Sequence, residues 1–379
     1  MRVNKTEVLK TTNMGVIALS LNVIDLFAGA GGLSNGFIQA GFKVIAAVEY
    51  DNQIAETYSR NHTNTRTIIT DLRKITTNRL LDLAGISSQD VDLIIGGPPC
   101  QGFSQAGKRL VDDPRNQLFR EFIRVLKDIQ PGFFVMENVT NLMLMKRGTI
   151  KREIINEFEQ AGYTVDARIL FAADYGVPQK RKRAIFLGNK YGVPNSFPKP
   201  KLFEGNYVTV RQAIGDLIEL NSEIPNHETK PLNKLDKLRI SYVPEGGFAP
   251  DIPAKIRPKE AKRGGFFYDW YRRLDWDKPS RTIIATDKLY HPSENRKLSV
   301  RESARLQSFS DDFHFYGSLA SQYKQVGNAV PPLLANAIAT EVYNLIFQVK
   351  NGKKCYRDGQ IEFCFNGEGS YFQKANGGQ

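Results

Sequence analysis

The stretch VIDLFAGAGGLSNG, Val23 to Gly36, decides how this chain is read. An apolar run, Val23–Phe27, empties into a turn holding Gly29, Gly31 and Gly32, after which the apolar spacing becomes helical. Strand, glycine turn and helix in that order let a ligand approach the backbone closely, because no Cβ stands in the way. A glycine loop of this kind fits a dinucleotide, a nucleoside or a simple tight turn. Glu49, about twenty residues beyond Gly29 at the end of the next apolar run, lies where a ribose-binding acid belongs and favours a nucleoside.

Outward from this stretch, further short apolar runs recur at Val44–Val48, Thr67–Thr70, Val91–Ile95, Phe133–Met136 and Ala184–Leu187. Helix-like segments lie between most of them: Gly32–Ala40, Gln53–Asn61, Gln117–Ile129 and Lys151–Ala161. The alternation predicts an α/β fold, a mostly parallel, doubly wound Rossmann-like sheet whose ligands bind beyond the carboxyl ends of the strands. After Leu187 the pattern breaks at Pro194, Pro198 and Pro200. From about 191 to 290 the chain is irregular and rich in Gly, Pro and aromatics. It turns helical again from Leu298 (VRESARLQSF), and an amphipathic helix is expected from Pro332 to about Val349. The expected organisation is a catalytic domain at 1–190, a smaller domain at 191–295, a return segment completing the first at 296–350, and a tail at 351–379.

Lys and Arg number 52 against 40 Asp and Glu, a formal net charge of +12, which favours an anionic partner: nucleic acid, or less often a membrane surface. No run approaches the roughly 18 apolar residues of a membrane span. Three cysteines (Cys100, Cys355, Cys364) are no disulfide framework and suggest a reducing compartment. The four histidines are scattered without metal-ligand spacing, so no metal is expected. A cytoplasmic monomer is the expectation.

Two further motifs carry chemistry. In DLIIGGPPCQGFS, Asp92 to Ser104, a buried-type strand empties into a proline-braced loop with Cys100 at its tip. A cysteine there, at the ligand edge of the sheet, is placed as a nucleophile rather than as core. A free thiol near pKa 8.5 is only a few per cent thiolate at neutral pH, so a positive field is needed nearby. In FFVMENV, Phe133 to Val139, an apolar strand ends in Glu137. If that strand runs parallel to the one before Cys100, thiol and carboxyl emerge on one rim. That pair suits addition to an electron-poor ring while the acid hydrogen-bonds or protonates a ring nitrogen. Asp71, closing the third apolar run, can accept from an adenine amino group or merely cap a helix.

Taken in order, DLFAGAGG, GGPPCQGFS, ENV, QKRKR (Gln179–Arg183), RESARLQSF (Arg301–Phe309) and QVGNAVPP (Gln325–Pro332) resemble the cytosine-C5 DNA methyltransferases of bacterial restriction–modification systems. The resemblance frames most of the chain and leaves about 191–290 as its variable, target-recognition part. It implies S-adenosylmethionine (AdoMet) as cofactor, held by Phe27, the glycine loop, Glu49, Asp71 and Leu72, with Asn328 returning to the cofactor side. Pro99 would line the pocket between cofactor and base. It further implies that Cys100 attacks C6 of a flipped-out cytosine and that Glu137 engages N3 and the exocyclic amine. Arg183 would anchor Glu137 and Arg181 would help hold the base.

Double-stranded DNA is the implied partner. Within 255–273, basic residues are interleaved with Phe266, Phe267, Tyr268, Trp270 and Tyr271, which suits a groove-facing surface or, equally, a small aromatic interior under a basic loop. Gln179, Arg272, Arg273 and Thr286 are the expected DNA contacts. Competing readings are a tRNA cytosine-C5 methyltransferase, a catalytically silent DNA-binding protein, and a nucleotide-dependent oxidoreductase. The last leaves PPCQ and ENV unexplained.

Overall fold

Short apolar strands and amphipathic helices alternate through the first half of the chain in a computed structural model describing residues 20–99, 117–217, 224–258, 271–357 and 360–364. The first elements are β1 (Asn22–Leu26), α1 (Gly32–Gln39), β2 (Lys43–Glu49), α2 (Asn52–Asn61), β3 (Arg66–Ile69), α3 (Thr77–Ala84) and β4 (Leu93–Gly96). They continue with α4 (Gln117–Ile129), β5 (Phe133–Val139), α5 (Asn141–Leu144), α6 (Thr149–Gln160), β6 (Thr164–Phe171), β7 (Gln179–Lys180) and β8 (Lys182–Asn189). Beyond these come α7 (Val210–Ile214), α8 (Lys234–Ser241), β9 (Ser280–Arg281), α9 (Val300–Leu306), α10 (Leu319–Asn328), α11 (Pro332–Asn351) and a hairpin of β10 (Lys353–Arg357) and β11 (Gln360–Cys364).

The central sheet has seven strands in the order β3-β2-β1-β4-β5-β8-β6. Strands β1 to β5 are mutually parallel, as the alternation predicts. The chain builds outward from β1 to β3 on one side and then returns to place β4 and β5 on the other. The switch point therefore lies between β1 and β4, where Leu26 registers with Gly96. At such a point the two following loops diverge and open a crevice.

One strand runs the other way. β8 is antiparallel to both β5 and β6, so its first residues lie beside the last residues of β5 (Val139 opposite Arg183). β6 is not among the expected strands. It is the edge strand, TVDARILF, only partly covered along most of its length, so its sequence lacks the apolar run of a central strand.

Helices cover both faces. α1 and α11 pack with Leu21, Val23 and Val44 on one side, and α3, α4 and α6 pack with Ile24, Ile94 and Phe134 on the other. At the α1–α11 contact a Cβ on Gly36 would lie 2.4 Å from Ala335 Cβ, so glycine permits the close approach. Residues of α7, Leu274, Trp276 and Ile283 share a second core with α9 and α10, and Ala30 of the glycine loop joins it. A small third core unites Ile240, Val243, Ala249, Ile252, Tyr271 and Tyr290. Tyr271 is thus interior, as one of the two readings of the aromatic segment expects, while Phe266, Phe267, Tyr268 and Trp270 lie outside the described residues. No helix among the described residues is long and apolar enough to cross a membrane.

Candidate active site

The glycine loop leaves β1 through Phe27, whose φ of +61° is rare for a bulky side chain, and continues through Gly29 (φ +58°) and Gly31 (φ +96°). Glu49, at the end of β2, holds this loop. Its Oε2 accepts from the Gly29 amide at 2.9 Å, while Oε1 accepts from the amides of Tyr50 and Asp51, each at 2.9 Å. Burial raises the Glu49 carboxyl above its ordinary range against these bonds, which favour the charged form. Gly31 does not face the ligand space: a Cβ there would strike the His62 ring at 2.3 Å. Gly32 does line the ligand space, and its missing Cβ also admits the returning chain, whose Val330 carbonyl would stand 2.3 Å from such an atom.

A cavity of about 650 Å³ opens across the switch point. Phe27, Gly29, Glu49, Asp71, Leu72 and Pro99 line it, and so do Glu137, Arg183 and Asn328, which the chain delivers from later elements. Asp71 caps a short 3-10 turn, Leu72–Lys74, accepting from the Arg73 amide at 3.0 Å, and its Oδ2 meets Arg73 Nη2 at 2.5 Å. That hydrogen-bonded arginine holds the carboxyl below the usual range. Both readings of Asp71, cap and ligand acceptor, thus fall on one residue.

Three features of the site escape the sequence patterns. Tyr50 lines the cavity with 65% of its surface exposed, an aromatic face beside Glu49. Asp25, inside the opening motif, also lines it and is otherwise buried. Its carboxylate accepts from Ser34 Oγ at 2.6 Å, Ser34 Oγ lies 2.7 Å from the Tyr58 hydroxyl, and burial pushes the Asp25 pKa up to about 7. The strand pattern gives Asp25 no prominence because one acid inside an apolar run reads as an interruption. Third, the Asn138 side chain donates to the Pro98 carbonyl at 2.9 Å and fastens the proline loop to the end of β5.

At the rim, Gly96 registers with Met136, so the loop after β4 runs beside Glu137; a Cβ on Gly97 would sit 3.1 Å from Glu137 Oε2. Arg183 Nε pairs with Glu137 Oε1 at 2.6 Å. Burial raises the Glu137 pKa, opposed by the charges of Arg183 and Arg181 and by the hydrogen bond. Cys100 lies outside the described residues; its neighbour Pro99 is exposed and lines the cavity.

Three expected contacts need revision. Arg181 is wholly buried, and its guanidinium donates to the carbonyls of Ile283 (2.9 Å), Gly327 (2.9 Å) and Ala329 (3.1 Å). It is a clamp on the main chain and not a group held out to a base; burial pulls its pKa down to about 9. Gln179, expected at DNA, is likewise buried, bonding Leu306 and Gln307 through Nε2 and the Ile283 amide through Oε1. Arg273 is buried among the carbonyls of Val243, Ile240, His291 and Glu294 and the Asn295 side chain. A guanidinium saturated by these acceptors has no donors left for a phosphate or a base edge. Arg272 lies half-buried with its guanidinium 4.2 Å from the centre of the Phe248 ring. Thr286 alone of the expected DNA set is exposed, on a tight loop closed by its own amide to the Ile284 carbonyl at 2.7 Å.

Comparison with known proteins supplies the remaining observation. The family model of the C-5 cytosine-specific DNA methylases matches residues 21–344. The chain belongs to that family. The methyltransferase is 44% identical to the type II methyltransferase M1.HphI of Haemophilus parahaemolyticus over 87% of this chain and 88% of that protein. It is 38% identical to M.DdeI of Desulfomicrobium norvegicum, over 85% and 88% respectively. Among solved structures, a DNA modification methyltransferase encoded within an E. coli prophage matches with a TM-score of 0.64 and 30% identity, over 86% of this chain and all of that one. A Spodoptera frugiperda DNMT2 structure, at 16% identity and a TM-score of 0.59, shares the fold. The protein is a DNA cytosine-C5 methyltransferase, and enzymes of this family use AdoMet.

Proposed function

We propose that this methyltransferase modifies C5 of one cytosine within a short double-stranded sequence, working on an extruded base through a transient bond between Cys100 Sγ and ring carbon C6. The observation that carries the reading is the meeting of three loops at one cavity: the glycine turn after β1, the proline loop after β4 and the Glu137–Arg183 pair after β5. Inside a stacked duplex the face of the ring is shielded from a nucleophile, so the base must leave the stack at a cost of a few kcal/mol.

The cavity fits AdoMet. Glu49 offers carboxylate oxygens suited to ribose hydroxyls, Asp71 an acceptor suited to an amino group, and Tyr50 an exposed ring on which a purine can stack. When bound, AdoMet supplies a methyl group carried on a positively charged sulfur. Cys100, by bonding to C6, turns C5 into a carbon nucleophile. Glu137 is placed to hold or protonate N3 and so to accept the charge that this addition pushes into the ring. Arg183 fixes the carboxyl on the rim. Restoration of the ring requires a base to take the C5 proton, while the electron pair left behind forms the C5–C6 double bond and the C6–S bond breaks to release the Cys100 thiolate.

We assign target recognition to residues 191–295 and attribute sequence-independent affinity to the chain's positive charge, with Thr286 on an exposed loop as one contact. The likeness to type II methyltransferases supports a protective role beside a restriction endonuclease. Duplex DNA incubated with tritiated AdoMet should acquire label on cytosine C5, and DNA containing 5-fluorocytosine should form an SDS-stable adduct that Cys100→Ala abolishes. Label on adenine, or a preference for tRNA over duplex, would overturn the proposal.

A further inference from the structure

The turn joining α5 to α6 has an unusual backbone. Lys146 (φ +47°, ψ +41°), Arg147 (φ +55°, ψ +38°) and Gly148 (φ +82°) form three consecutive residues in the left-handed region. Only the third is a glycine. For an L-residue carrying a Cβ this conformation is unfavourable, and two in succession are seldom tolerated without a cause. The turn is held from both sides. Leu142 and Ile150 are fully buried and Met143 nearly so, all three within the core below, and Thr149 Oγ1 donates to the Lys146 carbonyl at 2.9 Å. Glycine at 146 and 147 would relieve the strain without disturbing those anchors.

The side chains that occupy these positions instead are both basic and both exposed, and neither has an acidic partner among the described residues. Lys151 and Arg152 follow on α6, so residues 146–153 carry a net charge of +3 with Glu153 as the one acid. Topology fixes where the turn lies. β5 ends at Val139, which lines the cavity, and β6 is aligned with β5 across the intervening antiparallel strand. α6 must therefore run back toward the start of β6, leaving the Lys146–Gly148 turn at the carboxyl edge of the sheet, the edge that also carries Glu137.

From the strain, the charge and this position we infer that Lys146 and Arg147 form a phosphate-binding turn, gripping the backbone of the duplex beside the extruded base and fixing its register over the rim. The inference rests on duplex DNA being the substrate. Its chemistry is that of ammonium and guanidinium groups on phosphodiester oxygens, which position a duplex without reading its sequence.

The test uses the full-length protein with Lys146→Gly and Arg147→Gly combined, and a second variant, Lys146→Gln with Arg147→Gln, in case the first alters folding. Relief of strain should leave the glycine variant at least as stable as the parent in thermal unfolding. Its KM for duplex DNA should nevertheless rise by about tenfold or more, and the log–log salt dependence of DNA binding should become shallower by about 2. AdoMet affinity, read by calorimetry, should not change. The glutamine variant should weaken DNA binding in the same way. If both variants bind DNA with the parent's affinity and salt slope, the turn is a solvated surface feature and the inference is wrong. If the parent protein itself methylates no duplex DNA, the failure lies with the proposed substrate, and the parent's own assay reports it separately.

Discussion

Arg183 Nε lies 2.6 Å from Glu137 Oε1, in a pair drawn from two strands that run in opposite directions. The antiparallel course of β8 makes this possible, because its opening residues lie at the end of β5. Were β8 parallel, Arg183 would emerge at the far edge of the sheet, about 20 Å away over a strand of this length. The pair therefore combines two sequence motifs through a single reversal of strand direction.

Removing either member should separate two effects. Glu137→Gln is expected to lower kcat by about 10²–10⁴-fold, the usual scale for a lost acid–base group. Arg183→Ala removes one of the influences that hold the Glu137 pKa down while leaving the burial that raises it. The limb of the pH–rate profile that reports Glu137 should then move to higher pH, measured as kcat/KM in single-turnover assays. An unmoved limb would show that Glu137 is not the titrating group.

Arg181 should behave as a structural residue. Its loss strands three buried carbonyls, those of Ile283, Gly327 and Ala329. Arg181→Ala is expected to destabilise the protein by about 3–5 kcal/mol in urea unfolding. Arg181→Lys should recover little of this, since a point-like ammonium lacks the planar fork that spans several carbonyls. Near-normal stability with a pure loss of base binding would argue for the catalytic role instead.

Arg273 offers a parallel case beside the small core of Ile240, Val243, Tyr271 and Tyr290. Its guanidinium joins Ile240 and Val243 to the 291–295 loop. Arg273→Ala should expose the 240–295 region to limited proteolysis before DNA is added. A variant that resists protease like the parent but binds DNA poorly would reinstate Arg273 as a contact.

Asp25 gives a signed pH dependence. Its pKa rises from 3.8 to about 7 on folding, chiefly through burial. Well below its unfolded value of 3.8 the group is neutral in both the folded and unfolded states and has no effect. As pH climbs toward 7 the unfolded chain ionises while the folded one does not, so stability is lost progressively and the loss levels off above 7. The full cost is about 4 kcal/mol on this shift. Asp25→Asn keeps an acceptor for Ser34 Oγ and removes the carboxylate. Its stability should match the parent at pH well below 3.8 and exceed it increasingly up to about pH 7, as followed by denaturant midpoints. A difference independent of pH would assign the effect to packing.

Much of the catalytic half is legible in the order of its residues. Strand and helix periods are local, so the parallel core from β1 to β5 follows from residues 23–139, and α4 begins and ends where its apolar spacing does. The edge strand β6 and the short helix α3 are harder to read, because Asp166 and Arg168 interrupt the apolar residues of the first and the second spans only Thr77–Ala84.

The motifs name the chemical groups, Cys100, Glu137, Glu49 and the QKRKR basic cluster, because reactivity belongs to side-chain type and to the loops that follow apolar runs. They do not say which cation meets Glu137. Arg181 and Arg183 are two residues apart and look alike in sequence, yet one meets Glu137 and the other meets carbonyls 102 to 148 positions away. That division depends on the break between β7 and β8, where Arg181 lies, and on which distant segment returns to cover it, and only the tertiary structure brings those segments together.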